Sequence, residues 1–168
     1  MKKELEFLKS IQLFSDLNED ELKEFIKVCK KKIVRKGEII MSEGETGDTM
    51  YLFLEGTVEV SHALTMKIGK KGFEETEKSM ARLNASHFNF FGDMSILSDS
   101  PRSATVKTLS DCILYEIKKG NFDNFCLMYP ALGFKILKQI SEVLCDRIRK
   151  GNQDILKLTT ALSISLSK

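Results

Sequence analysis

Apolar residues at the amino terminus, Leu5, Leu8, Ile11 and Leu13, recur at steps close to a helical turn and predict an opening helix. Asn18 followed by Glu21 has the spacing of a capping box and predicts a second helix ending near Lys30. From Lys32 to Leu114 the pattern changes. The segments KKIVRKGEIIMSEG, DTMYLFLEGTVEVSHALTMKI and KSMARL are short, often alternating, and punctuated by Gly37, Gly44, Gly47, Gly56, Gly69 and Gly72. That pattern predicts antiparallel strands joined by tight turns, closed into a small sandwich or barrel, with Gly69-Lys70-Lys71-Gly72 as a hairpin tip.

After Ile117 the helical period returns. The stretch KKGNFDNFCLMYPALGF predicts a short helix broken at Tyr129-Pro130, with Pro130 in the first turn of a long final helix. Along that helix Leu137, Ile140, Leu144, Ile148, Ile155, Leu158 and Leu162 follow steps of three and four, Gly151 filling the one missing place. Two readings follow: a heptad-like seam awaiting a partner helix, or a stripe half packed on the chain's own barrel with a frayed end. The whole reads as an α+β chain, mainly β, with helices at both ends.

A length of 168 residues suits one domain with a real core. A formal net charge of +2 implies no strong field for nucleic acid or an anionic membrane. The four cysteines, Cys29, Cys112, Cys126 and Cys145, show no CxxC spacing and read as small hydrophobes in a reducing compartment. Glu4, Glu6 and Lys9 interrupt any leader-like apolar run, and nothing approaches a membrane span, so a cytoplasmic chain is expected.

The chemistry concentrates in FNFFGDMSILSDSPRSATV. Gly92 permits a sharp turn and a close approach of backbone to ligand. Asp93 to Leu97 then predicts one helical turn whose N–H groups face an anion, and Pro101 stiffens the return so that Arg102 points inward. A guanidinium forks onto two phosphate oxygens as a lysine cannot. Asp93 repels the same anion, so it is expected to take a neutral group beside it, such as a sugar hydroxyl. Phosphate and ribose side by side make a nucleotide. The alternative is that Arg102 ties its loop to an acidic neighbour such as Asp99.

Other chemistries find little support. Two histidines, His62 and His87, without an HxH pair do not make a metal site, and neither His87 nor Cys29 is well placed for haem or iron–sulfur ligation. No Ser-His-Asp arrangement, Walker loop or nucleophile elbow is present in the sequence, and no catalysis or cofactor is expected.

These residues carry a resemblance. IQLFSDLNEDELKEFI is similar to the opening helix of the cyclic-nucleotide-binding domain family, the module shared by catabolite-activator-type regulators, protein kinase A regulatory subunits and cyclic-nucleotide-gated channels. GEIIMSEGETGDTMYLFLEGTVEV resembles its first strands, with Gly44, Gly47, Asp48, Tyr51 and Gly56 in rhythm, and FFGDMSILSDSPRSATV resembles its phosphate-binding cassette. The resemblance runs from about Ile11 to Lys150 and implies an antiparallel β jelly-roll barrel flanked by N-terminal helices and a long C-terminal helix. It divides the chain into helices over 1–31, barrel over 32–117, C-terminal helices over 118–150, and the end of the long helix with a tail over 151–168.

It also implies a ligand, cAMP before cGMP, held by Phe91, Gly92, Asp93, Met94, Ser95, Arg102, Ser103 and Ala104, with Arg147 and Asn152 of the long helix closing over the purine. Gly151-Asn152 reads equally as a helix C-cap. Three places depart from the family pattern, the first being Asn84-Ala85-Ser86-His87 where a glycine-rich turn is usual before the cassette, a change that Asn tolerates. Asp93 stands where Glu is usual, shorter by about 1.5 Å, and Ser95 stands where Ala is common. The eleven residues LTTALSISLSK after Lys157 are too few for the helix-turn-helix of the activator branch, so no DNA-binding domain is expected within these 168 residues. They read either as a stand-alone sensor or as a piece of something larger. The implied role is a regulatory sensor in which ligand repositions the C-terminal helix toward a partner or a second copy. The alternative is a degenerate barrel that serves as a protein-interaction or dimerisation module.

Overall fold

A computed structural model describes residues 2–67, 73–85 and 89–167. The hairpin tip expected at Gly69–Gly72 and His87 lie outside the described residues. The chain opens with α1 (Lys2–Ser10), a 3₁₀ turn (Gln12–Phe14) and α2 (Glu19–Ile26). The capping box forms: Asn18 Oδ1 accepts from the amides of Asp20 and Glu21 at 3.0 Å, and Glu21 Oε2 accepts from the Asn18 amide at 2.8 Å. The helix stops earlier than the expected Lys30, because Lys30 already pairs with Glu116 in the first strand.

Eight strands follow: β1 (Lys30–Val34), β2 (Ile39–Met41), β3 (Thr49–Glu55), β4 (Thr57–Lys67), β5 (Phe73–Asn84), β6 (Phe90–Phe91), β7 (Thr105–Thr108) and β8 (Cys112–Lys118). They build two antiparallel four-stranded sheets, β1-β8-β3-β6 and β2-β7-β4-β5. Between β6 and β7 lies the single-turn helix α3 (Asp93–Leu97), and after β8 come α4 (Lys119–Met128) and α5 (Pro130–Leu166). The barrel with helices at both ends is the architecture the sequence implied, and Pro130 opens α5 as expected.

The apolar run of β3 is explained by two cores. Alternate residues of a strand face opposite sides, so Met50 and Leu52 join the helices, while Tyr51 and Phe53 enter the barrel. In β6 Phe90 packs toward the helices and Phe91 into the barrel, and β8 repeats the division, with Cys112 and Leu114 inside and Tyr115 and Ile117 outside. The outer core holds α1, α2, α4 and the first turns of α5 against this sheet, through a Phe14–Phe25–Phe125 ring cluster at 4.7 and 5.3 Å.

Only the first part of α5 is buried, at Leu132, Gly133, Ile136, Gln139 and Ile140. Val143 and Leu144 are half-buried, whereas Ile148, Ile155, Leu158 and Leu162 are exposed. The helix continues unbroken through Gly151 and Asn152, so these residues are not a C-cap, and the stripe does not fray before Leu166.

All four cysteines are free. Burial pushes the Cys29 thiol up to about 12, while Cys145 is exposed on α5. Because the thiolate is the reactive form, a maleimide or disulfide reagent at pH 8 is expected to label Cys145 at once and Cys29 only on unfolding. Peptide mapping checks this, and equal labelling rates would contradict the packing around α2.

Candidate functional site

Arg102 lies just before β7, and its backbone is strapped to the β2–β3 loop on both sides. Its amide donates to Glu45 O at 2.8 Å, and its carbonyl accepts from the Gly44 amide at 2.9 Å. The side chain turns inward and is 6% exposed. Nη1 donates to Thr49 O at 2.6 Å and to Ser95 Oγ at 3.0 Å, and Nη2 donates to Thr49 Oγ1 at 2.6 Å. Thr49 Oγ1 in turn donates to Tyr51 Oη at 3.3 Å. A guanidinium has five N–H donors, and the described hydrogen bonds use three of them. The tie to Asp99 does not form: Asp99 pairs instead with Lys119 at 2.6 Å, which holds its carboxyl below the usual range.

Two glycines make room for this arginine. A Cβ at Gly47 would lie 2.2 Å from Arg102 Nε and 2.6 Å from Nη2. Gly92 has φ +76°, and a Cβ there would meet both Arg102 Nη1 and Thr49 O at 2.8 Å. Only glycine takes that conformation freely, and it turns the chain from β6 into α3, whose residues Asp93, Ser95 and Ile96 are buried.

Asp93 is 3% exposed, and its described partner is Arg147 on α5, 54 positions away. Arg147 Nη1 donates to both carboxylate oxygens, at 3.0 and 2.8 Å. The same guanidinium lies over the Phe90 ring, 5.4 Å from its centroid.

The remaining wall of the cavity is apolar. Met41 pairs across strands with Val106, Val106 with Val60, and Val60 with Ala81, so one row of side chains crosses β2, β7, β4 and β5. With Leu83 these residues face the cavity lined by Phe91, Gly92, Asp93, Met94, Ser95, Arg102, Ser103, Ala104 and Arg147. Nine of the ten residues singled out in the sequence therefore meet in one place. Asn152 does not: it is exposed on α5 and outside the cavity lining. Arg147 is present, but its described contacts are to Asp93 and Phe90.

The sequence reading missed Thr49, Gly47 as a spacer, and the apolar row. Thr49 carried no signal, since one threonine at a strand start is unremarkable. The row is visible only once register is known. A roomier cleft lies between α2 and α4, and there Glu24 is paired with Lys27 and with Tyr129 Oη. Among the described residues no cluster of three metal-ligating side chains occurs, and no helix is long and apolar enough to cross a membrane.

A flat apolar row beside a buried arginine with spare donors suits a ligand with an aromatic ring and an anionic group, and the comparisons with known proteins agree. A family profile described as the cyclic nucleotide-binding domain matches residues 31–129, and the chain belongs to that family. It is 30% identical over 141 residues to a cyclic nucleotide-gated potassium channel of Rhizobium etli, covering 84% of this chain and 32% of the channel. To a cAMP-dependent protein kinase regulatory subunit of Debaryomyces hansenii it is 30% identical over 127 residues, covering 76% of this chain and 25% of the subunit. Among solved structures, a cyclic nucleotide-binding domain from Methylobacillus flagellatus superposes with a TM-score of 0.73 at 24% identity, covering 92% of this chain and 82% of that one. The chain thus spans a quarter to a third of the length of these curated relatives.

Proposed function

We propose that this chain is a non-catalytic sensor of a 3′,5′-cyclic nucleotide, cAMP in preference to cGMP. The observation that carries the reading is Arg102: a buried arginine, 6% exposed as a residue, held by Thr49 and Ser95, with two N–H donors left over beside an apolar row. A buried charge normally has a partner, and Arg102 has no carboxylate among its described contacts. A cyclic phosphate supplies the missing anion, and the purine lies on Val60, Ala81, Leu83 and Val106. The name of the kinase subunit relative supports cAMP.

Signalling proceeds by a population shift in which ligand alters the placement of α5 and a partner or second copy reads the change. The cytoplasm is the expected location. Calorimetric titration with cAMP, cGMP and 5′-AMP tests the proposal. Saturable binding at micromolar or lower Kd is expected for cAMP, weaker for cGMP and weakest for 5′-AMP, whose dianionic phosphate does not match the cyclic diester. A folded chain giving no heat and no thermal shift with either cyclic nucleotide would leave the interaction module as the function.

The exposed stretch of α5 is the proposed contact with a second copy. Ile148, Ile155 and Leu162 repeat every seven residues, with Leu144 before them, Gly151 between the first two and Leu158 between the last two, and the apolar residues of this stripe beyond Leu144 are exposed. Isoleucine at one seam position with leucine at the other, as at Ile155 and Leu158, favours a parallel two-stranded coil, and Gly151 leaves one gap in it. Light scattering is expected to give a dimer, converted to a monomer by the paired change I155E and L158E with cAMP binding retained. A wild-type monomer at tens of micromolar would exclude this contact.

A further inference from the structure

The resemblance puts Arg147 over a purine, yet its described hydrogen bonds go to Asp93, the carboxylate expected to accept from a ribose hydroxyl. The local chemistry explains what such a contact does. One nitrogen placed between both oxygens fixes the plane of a carboxylate. It occupies the lone pairs on that side and leaves those on the other side for a second donor. Asp93 needs this more than a glutamate would, because its short side chain cannot adjust its reach, and it starts from a buried position on α3. Arg147 is itself held from behind by the Phe90 ring.

The position on α5 matters as much. The buried residues of that helix end at Ile140, and Val143 and Leu144 are half-buried. Further on, Asp146 pairs with Arg149 and Asp154 with Lys157, all on the helix itself. Arg147 is thus the outermost described ion pair between α5 and the barrel. Beyond it, Ile148 to Leu166 project as an exposed rod about 28 Å long.

We propose that Arg147 is a positioning residue for sugar recognition: it holds the Asp93 carboxylate from the helix side, so that the ribose 2′-hydroxyl of the ligand and the root of the projecting helix share one acceptor. The inference rests on the nucleotide-sensor reading. Coupling between two partners of one group is reciprocal. The helix tether sharpens the preference for ribose, and a ribose hydroxyl on Asp93 steadies the helix.

The test compares cAMP with 2′-deoxy-cAMP on the wild type and on Arg147→Met and Arg147→Gln. Methionine and glutamine are both good helix formers, and Arg147 is 39% exposed at its side chain, so α5 persists in both variants. Titration of the wild type is expected to favour cAMP by about tenfold or more, the scale of one hydrogen bond to a charged group. In both variants the ratio falls to within about threefold, while each nucleotide still binds through Arg102. In the wild type, cAMP is expected to slow amide exchange over 141–150 more than 2′-deoxy-cAMP does. An unchanged ratio in the variants, equal slowing by the two nucleotides, or a wild type indifferent to the hydroxyl would each overturn this coupling and leave the sensor standing. A wild type that binds neither nucleotide would overturn both.

Discussion

Arg102→Ala is expected to weaken cAMP binding by about 30- to several-thousand-fold, the span that follows from truncating one partner of a buried charge pair at ~2–5 kcal/mol. The guanidinium has no substitute: Arg102 is buried as a residue and its donors converge on one place. Lysine at this position keeps the charge but not the fork, and it cannot serve Thr49 and Ser95 while also reaching two phosphate oxygens. Arg102→Lys is therefore expected to recover only a small part of the loss.

A stability cost accompanies the alanine change. Thr49 O, Thr49 Oγ1 and Ser95 Oγ lose their donor, and a buried polar group left unsatisfied costs about 1–3 kcal/mol. Melting without ligand measures this cost separately from the titration. Binding within a few fold of wild type would remove Arg102 as the phosphate anchor.

The second largest effect is expected from a single methyl group. Gly47 is not among the positive-φ glycines, so alanine there meets no backbone strain, and its conformational freedom is not what selects glycine. What alanine meets is the Arg102 guanidinium, with Nε 2.2 Å and Cζ 2.5 Å from the new Cβ. The side chain can escape only by giving up its bonds to Thr49 and Ser95. Gly47→Ala is expected to lower cAMP affinity by about 10- to 150-fold, the range for a lost hydrogen bond to a charged group. The melting temperature should fall as well, because Thr49 and Ser95 lose the same donor as in Arg102→Ala at about 1–3 kcal/mol, offset in part by the ~0.4–1 kcal/mol that replacing glycine contributes through the unfolded chain. A crystal structure or a titration showing Arg102 and cAMP undisturbed in G47A would refute this account of the pocket.

Both predictions depend on residues that the chain itself identified to very different degrees. Arg102 was legible because a proline, a small hydroxyl residue and a turn glycine sit within a dozen positions of it, and local sequence is enough to bend a loop. The capping box at Asn18 and Glu21, the opening of α5 at Pro130 and the single turn of α3 were legible for the same reason: each is decided by side chains a few bonds from the backbone they cap or start. Helix α2 ran past its true end in the sequence reading because Lys27 to Lys32 carry no stop signal. The pairing of Lys30 with Glu116, 86 positions away, ends it.

The partner of Asp93 shows the limit from the other side. The sequence marks an aspartate in the cassette and an arginine on the last helix but cannot say that they touch, since the distance between them depends on how α5 packs through Leu132, Ile136 and Ile140. The apolar row from Met41 to Ala81 is likewise a product of register across four strands. A one-residue slip would turn that row to the other face.

What the sequence determined by itself was therefore the order of elements, the family and the glycine-to-arginine loop around the candidate site, all written in short-range pattern and spacing. The tertiary structure alone decided which groups share the cavity: that Thr49 and Ser95 hold Arg102, that Gly47 leaves room for it, and that Asp93 lines the cavity while bonded to Arg147 of the final helix. The physical reason is that those contacts join segments tens of residues apart, and their geometry is set by the packing of two cores rather than by any local preference of the chain.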